Sequence, residues 1–218
     1  MQLGNRRARD LDTEKYHELS ERARRLKAKG FTTTEIADEL NVQPDTVLWL
    51  LMKEHVREKP AGLYDFHIDW SQIGSNPKCL TLAGYMLAEI ARSALESKEF
   101  EESEVVVGVE PSGIPLALLV ADELERPMAV IRPRRHVNKE GAAPGAICLN
   151  FSKVEGRRAL IVDDVVNTGE TLREVVQSLR ESNSRPVGIL TLVDKKARET
   201  IDGVPVKTLI KAVPIGTS

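Results

Sequence analysis

Two adjacent carboxylates, Asp163 and Asp164, stand at the end of an apolar run, a few residues ahead of Asn167, Thr168, Gly169, Glu170 and Thr171. Paired acids can accept hydrogen bonds from a vicinal diol, which a lone carboxylate does less well. The small polar residues behind them suit a phosphate. Free backbone N–H groups at a helix start favour an anion, and Gly169 lets the backbone approach it closely. Together these types and spacings describe a site for a phosphorylated sugar. The plain alternative is a strand–turn–helix with two acids at its mouth, which doubly wound folds also show.

The elements that must hold these groups are legible around them. Leu160 to Val162 are apolar and partly β-branched, as in a short strand buried on both faces of a parallel sheet and ending at the acids. Leu172, Val175, Val176 and Leu179 then share one face of a helix. Residues 160–172 resemble the thirteen-residue phosphoribosyl pyrophosphate (PRPP) motif of type I phosphoribosyltransferases: apolar strand, Asp-Asp, then Thr-Gly-x-Thr. The resemblance implies that Asp163 and Asp164 meet the ribose hydroxyls and that residues 167–171 wrap the 5′-phosphate. It also implies Mg²⁺ with PRPP, chelated mainly by the diphosphate and ribose oxygens that a hard cation prefers.

Two further stretches fit the same family. Glu110, Pro111, Ser112 and Gly113 follow an expected strand over 104–109 and precede a helix. In phosphoribosyltransferases this position is the pyrophosphate loop; taken alone, it reads equally as a turn that needs Gly. Arg132, Arg134, Arg135 and Lys139 lie in a Gly- and Pro-punctuated stretch, where the orotate phosphoribosyltransferases carry a mobile basic loop. Residues 63–211 as a whole resemble the archaeal orotate-phosphoribosyltransferase-like proteins. The departures fall on one side of the site. Arg132-Pro133 replaces the enzymes' Arg-Lys, Asp194-Lys195 their Asp-Arg, and Asn138-Lys139-Glu140-Gly141 their Lys-x-His-Gly; no Lys-Ser-Gly segment stands near Asp69 to Ser75. The ribose-phosphate half is intact, and the base-binding and catalytic half is altered.

The first sixty residues are of another kind. Tyr16, Leu19, Ala23 and Leu26 recur at helical spacing after an expected cap at Asp12 or Thr13, and Gly30 ends the run. A second helix, capped by Thr33 or Thr34, is expected to bury Ile36, Ala37 and Leu40. Asn41 suits a left-handed turn, Val42 plugs it, and Pro44 opens a third helix with Val47, Leu50 and Leu51 facing inward. This is the pattern of helix-turn-helix DNA-binding regulators, shared in part by any two packed helices. Thr33, Thr34, Gln43, Thr46, Trp49 and Lys53 are the candidate contacts to duplex DNA, with Arg22, Arg24, Arg25, Lys27 and Lys29 as a basic surface. Residues 1–60 carry 12 basic against 11 acidic side chains, so such binding depends on local clustering and pairing of chains. Lys59-Pro60-Ala61-Gly62 is a turn signal, either the tip of a wing hairpin or a linker, with a leading strand over 63–70 after it.

Bulk properties narrow the classes. The chain has 218 residues, a net charge of −2 and 4% aromatics, which gives no global field for nucleic acid or membrane and disfavours a base-stacking sheet. Cys79 and Cys148 lack CxxC spacing, and the four histidines do not cluster with acids, so no metal site of the protein's own is expected. Without an apolar leader or a membrane-length run, the expected location is cytoplasmic.

Strands expected over 104–109, 128–131, 159–162 and 187–193 alternate with helices, including one over 80–95 that buries Leu82, Met86, Ile90 and Leu95. The expected fold is α/β: a type I phosphoribosyltransferase-like parallel sheet with flanking helices over 61–218, preceded by a small all-α helix-turn-helix domain over 1–60, with or without a wing. This two-part plan resembles the GfcR-type archaeal transcriptional regulators and, more distantly, the bacterial purine repressor. It implies a homodimeric DNA-binding regulator whose second domain senses PRPP or a related phosphorylated metabolite. The alternative is a phosphoribosyltransferase, of orotate or purine type, that makes a nucleotide from PRPP and a base.

Overall fold

The computed structural model describes residues 3–51, 67–133 and 146–213, with side chains from Tyr16 onward in the first stretch. The chain divides into two compact units, Met1–Ile68 and Asp69–Ser218. The expected wing or linker and Lys53 fall outside the described residues, as do Arg134, Arg135 and Lys139.

The N-terminal unit contains three described helices: α1 (Leu3–Ala28), α2 (Thr33–Glu39) and α3 (Pro44–Leu51). Helix α1 begins well before Asp12 and Thr13, which therefore lie within it and not at its start. Its end matches expectation: Gly30 takes φ +91°, and Phe31 N–H donates to the Leu26 carbonyl in a Schellman-type closure. The cap of α2 is Thr32, one residue before the expected pair. Its hydroxyl accepts from Glu35 N–H while the Glu35 carboxylate accepts from Thr32 N–H, a reciprocal capping box. Glu35, which Thr33 or Thr34 could not have met in this way, decides the register.

Between α2 and α3 the chain turns through Asn41 at φ +51°, and Val42 N–H donates to the Ala37 carbonyl. Ala23, Ile36, Ala37, Leu40, Val42, Val47 and Leu50 form the buried core of this unit. Ser20 Oγ donates to the Leu50 carbonyl at 2.7 Å, and His67 Nδ1 lies 2.7 Å from the Leu40 carbonyl. A carbonyl only accepts, so His67 carries its proton on Nδ1.

The second unit is built on a seven-stranded sheet. Its strands are β1 (Val105–Val109), β2 (Met128–Arg132), β3 (Ala146–Ile147), β4 (Arg158–Val166), β5 (Arg185–Asp194), β6 (Thr200–Ile201) and β7 (Val204–Lys211), in the order β3-β2-β1-β4-β5-β7-β6. The five inner strands are parallel, and β3 and β6 pair antiparallel at the two edges. Buried Val105, Val107, Val109, Ile161 and Ile189 share a cluster with Leu172, Val175, Val176 and Leu179 of α7 (Glu170–Glu181), as the helical face read from sequence requires. Helices α5 (Pro77–Glu96) and α6 (Gly113–Glu123) complete the layers, after the short α4 (Ser71–Gly74).

Three local expectations change. The described part of the leading strand, 67–70, joins no strand, and Trp70 precedes α4 instead. In α5 the buried stripe is Ala83, Gly84, Leu87, Ala88, Ala91 and Ala94, while Leu82 and Met86 are about half exposed, at 53% and 47%. The two stripes lie one residue apart, and close approach selects the smaller one: a Cβ on Gly84 would come within 2.4 Å of Leu119 Cβ. Strand β4 does not stop at the acids. It continues through them to Val166, paired with β5 as Asp163 to Thr191 and Val166 to Asp194, because β-branched Val165 and Val166 keep the ladder going.

Candidate phosphoribosyl site

The candidate groups converge at the carboxyl ends of β1, β4 and β5, the edge where open parallel sheets bind ligands. Asp163 and Asp164 are each 7% exposed, so their carboxylates are presented by a rigid strand. Asp163 Oδ1 accepts from Asp164 N–H at 2.9 Å. Asp164 Oδ2 accepts from the Trp70 indole Nε1–H at 2.8 Å. No spacing in the sequence marks this partner, since Trp70 lies 94 residues away in the chain.

Beyond Val166 the loop closes through Asn167, Thr168 and Gly169. Asn167 is buried, Gly169 takes φ +80° at the N-terminus of α7, and Glu170 N–H donates to the Thr168 hydroxyl at 3.3 Å. A side chain would be strained at that positive φ, so Gly169 is required for the loop's path as well as for access. Helix α7 is twelve residues long, and its N-terminal amides present partial positive charge where a phosphate would sit.

A second residue missed from sequence braces this loop. Arg198 Nη2 donates to the Asn167 carbonyl at 2.7 Å, and Nη1 donates to Asp194 Oδ1 at 2.7 Å. Asp194 is fully buried, and its other oxygen accepts from Arg198 N–H at 2.6 Å. Gly169 lies under the same guanidinium, its ideal Cβ 3.4 Å from Arg198 Nε. Arg198 lies four residues from Asp194 outside any helix, and no spacing in the sequence marks its grip on a loop 31 residues away. Lys195, from the altered base-binding half, is 4% exposed, and its N–H donates to the Val166 carbonyl.

The loop Glu110–Gly113 joins β1 to α6 and lies against the acidic pair. A Cβ on Gly113 would come within 2.4 Å of the Val162 carbonyl and 3.3 Å of Asp163 Oδ1, so only glycine fits. Glu110 N–H donates to the Ile131 carbonyl, which ties the loop to the end of β2. There Arg132 grips the Glu110 carboxylate with both arms, Nε to Oε2 at 2.5 Å and Nη2 to Oε1 at 2.9 Å. The carboxylate's hydrogen bond holds the Arg132 guanidinium above its ordinary pKa. Among the described residues, no group of three or more His, Cys, Asp or Glu side chains could hold a metal ion. A divalent cation here would rest mainly on oxygens that its ligand brings.

In the N-terminal unit, Gln43, just before α3, and Thr46, on it, are half-buried, and Asp45 and Leu48 are the helix's exposed residues. Thr33 and Thr34 are half-buried in the first turn of α2. Trp49 packs on the core, its ring 4.8 Å from that of Tyr16, with Nε1 buried and without a hydrogen-bond partner. Arg22, Arg24, Arg25 and Lys27 are exposed along α1 and Lys29 just beyond its end, with Arg22 paired to Glu39 at 3.3 Å.

A family model described as phosphoribosyl transferase domain matches residues 69–215, most of the second unit. Over the longer span, the chain is 38% identical across 199 residues to "Transcriptional regulator GfcR" of Methanobrevibacter smithii, covering 88% of this chain and 96% of that protein. It is 40% identical across 203 residues to the regulator of the same name from Haloferax volcanii, covering 89% and 94%. The chain belongs to the GfcR family, with a phosphoribosyltransferase-type second domain. Among solved structures, orotate phosphoribosyltransferase from Aeropyrum pernix superposes with a TM-score of 0.52 over 67% of this chain and 78% of its own, at 24% identity. At that identity the likeness speaks for the fold alone. Among the described residues, no helix is long and apolar enough to cross a membrane.

Proposed function

We propose that this GfcR-family chain is a DNA-binding transcriptional regulator whose phosphoribosyltransferase-like domain binds PRPP or a related phosphorylated metabolite as its effector. One observation carries the reading. A complete ribose-phosphate cradle, from Asp163 to Thr171, shares a chain with a helix pair that turns through left-handed Asn41 and plugs the turn with buried Val42. In this reading α2 and α3 form a helix-turn-helix, with α3 presented to the major groove. Thr33, Thr34, Gln43 and Thr46 are its candidate contacts and the basic side chains of α1 meet phosphates. The relatives' printed names support the regulatory half.

Effector and DNA are linked through two states of the chain. A ligand shifts DNA affinity only as far as it binds one state better than the other. Two-fold pairing of chains would present two reading helices to one face of a duplex, so the operator is a near-palindrome with half-sites about 10 bp apart or a multiple of that. Where PRPP is the ligand, Mg²⁺ accompanies it on the diphosphate and ribose oxygens.

The transferase reading draws on the same cradle. Ribosyl transfer also needs cations on the departing diphosphate and a base fixed in line. The Glu110–Gly113 loop carries no cation, and Pro133 and Lys195 stand where the enzymes differ. A gel shift with genomic fragments, with and without PRPP and Mg²⁺, read beside an assay for pyrophosphate release from PRPP and orotate, separates the two. Selective, ligand-responsive DNA binding with negligible turnover is expected. Turnover at about 1–10³ per second, the ordinary enzyme range, with no preference among fragments, overturns it.

A further inference from the structure

Two hydrogen bonds pin the two ends of a single short stretch, residues 67–70. At its start, in the first unit, His67 Nδ1–H donates to the Leu40 carbonyl at 2.7 Å. At its end, in the second unit, the Trp70 indole N–H donates to Asp164 Oδ2 at 2.8 Å. Both acceptors bear on the proposed function. Leu40 is the fully buried C-cap of α2 and precedes left-handed Asn41, so its carbonyl stands at the turn that leads into α3. Asp164 belongs to the acidic pair read as meeting a ribose diol. The stretch between them has little slack, because three residues of chain reach about 11 Å at most. Its far end is also stiff. Asp69 Oδ1 accepts from Ser71 N–H at 3.1 Å and from the Ser71 hydroxyl at 2.7 Å, and a Cβ on Gly74 would come within 2.7 Å of the Trp70 ring.

We infer that residues 67–70 carry the effector signal from the phosphoribosyl cradle to the helix pair, with Trp70 as the sensing residue and His67 as the transmitting one. The inference rests on the reading of residues 163–171 as that cradle, and it names the route of its regulation. A diol hydroxyl that donates to Asp164 competes with the indole for the same carboxylate. Trp70 sits between Asp69 and α4 with its ring against Gly74, so displacing it shifts backbone and not the ring alone. The next fixed point upstream is His67, and a hydrogen bond of 2.7 Å weakens steeply once its angle and length are disturbed. The Leu40 carbonyl then loses a donor at a helix end, where intrahelical partners run out. The α2–α3 turn loosens, and two ligand states of the second unit become two states of the first. That difference is what ligand-responsive DNA binding requires.

The test is amide hydrogen exchange over residues 36–47 of the full chain, with and without saturating ribose 5-phosphate or PRPP with Mg²⁺, and calorimetry on the same samples. In wild type, ligand should quicken exchange at Asn41 and Val42 by about fivefold, the effect of one lost hydrogen bond. Trp70→Phe removes the sensing N–H. Exchange should be fast already without ligand and unmoved by it. His67→Ala removes the transmitting N–H and should behave alike, while binding ligand at least as tightly as wild type, because linkage is reciprocal. The two variants break the route at opposite ends, so the second decides if Trp70→Phe fails to fold. A purely structural His67 would change exchange without ligand and leave the response to ligand intact. A response that survives in either folded variant, or ligand that binds wild type without moving exchange at residues 41 and 42, overturns the route and leaves the cradle standing. Absence of heat with either ligand overturns the cradle, and the route with it.

Discussion

The Trp70 indole donates its one N–H to Asp164 Oδ2, on the carboxylate proposed to receive a ribose diol. Ligand hydroxyls and indole therefore compete for one oxygen. A hydrogen bond to a charged group contributes about 1.5–3 kcal/mol net, so the competition is large enough to measure. Trp70→Phe keeps the ring and removes the competitor. Affinity for a phosphorylated ribose should rise about fivefold, near 1 kcal/mol, in calorimetry. The wild-type indole should also report binding directly through its fluorescence, with Trp49→Phe used to isolate the signal. An unchanged Trp70 spectrum at saturating ligand would show that the diol does not reach Asp164.

Truncating the cradle itself should cost more. Asp164→Ala, or Thr168→Ala together with Thr171→Ala, is expected to weaken binding of the phosphorylated ligand by tenfold or more, about 1.4 kcal/mol. Equal heats of binding in wild type and both variants would count against residues 163–171 as the binding groups.

Arg198 should matter to folding and to the ligand at once. Arg198→Ala leaves fully buried Asp194 without its charged partner, and breaking a buried pair on one side costs about 3 kcal/mol. It also frees the Asn167 carbonyl, so the phosphate loop loses the brace that holds it ready. Denaturant unfolding should show the lost stability. Ligand affinity, measured well below the melting temperature, should fall separately. Arg198→Lys retains a charge yet cannot reach both acceptors in the same fork, and is expected to recover only part of either loss. Full recovery in the Lys variant would mean that charge alone, and not the bridge, sets the loop.

On the DNA side, Gln43→Ala with Thr46→Ala should abolish preference among fragments while leaving salt-sensitive, non-specific binding. Replacing Arg24 and Arg25 should weaken binding to all sequences alike and flatten the salt dependence. Asp164→Ala should still bind DNA but no longer respond to ligand. If wild type prefers no genomic fragment over random DNA at any salt or ligand level, the regulator reading fails.

What could be read in advance divides along a physical line. Features fixed by local backbone chemistry were legible: the left-handed turn at Asn41, the break at Gly30, the start of α3 at Pro44 and the apolar face of α7. So was the order of strand, acids, glycine and helix around residues 160–172, because each part constrains its neighbours. Features decided by distant partners were not. Hydropathy favoured Leu82 and Met86 as the buried stripe of α5, but Leu119 opposite Gly84 selects the smaller one beside it. Trp70 on Asp164 and Arg198 on Asn167 join residues 94 and 31 positions apart, and no spacing rule brings such pairs together.

The N-terminal unit closes on seven buried apolar side chains, two of them alanines, among the described residues. That described interior is small beside the far larger one of the sheet unit, and a small interior leaves little margin against heat. The two units should accordingly melt in separate steps, the helical one first, and calorimetric scanning would show two peaks. Losing the Thr32 cap in Thr32→Ala, a change of about 1 kcal/mol, should move the lower peak alone. Operator DNA should raise that peak by mass action, and a phosphorylated sugar the upper one. For a cell that warms, the order matters: the part proposed to read DNA falls silent while the part proposed to sense the metabolite remains folded, and on cooling the short, local contacts of its helices let it return quickly to work.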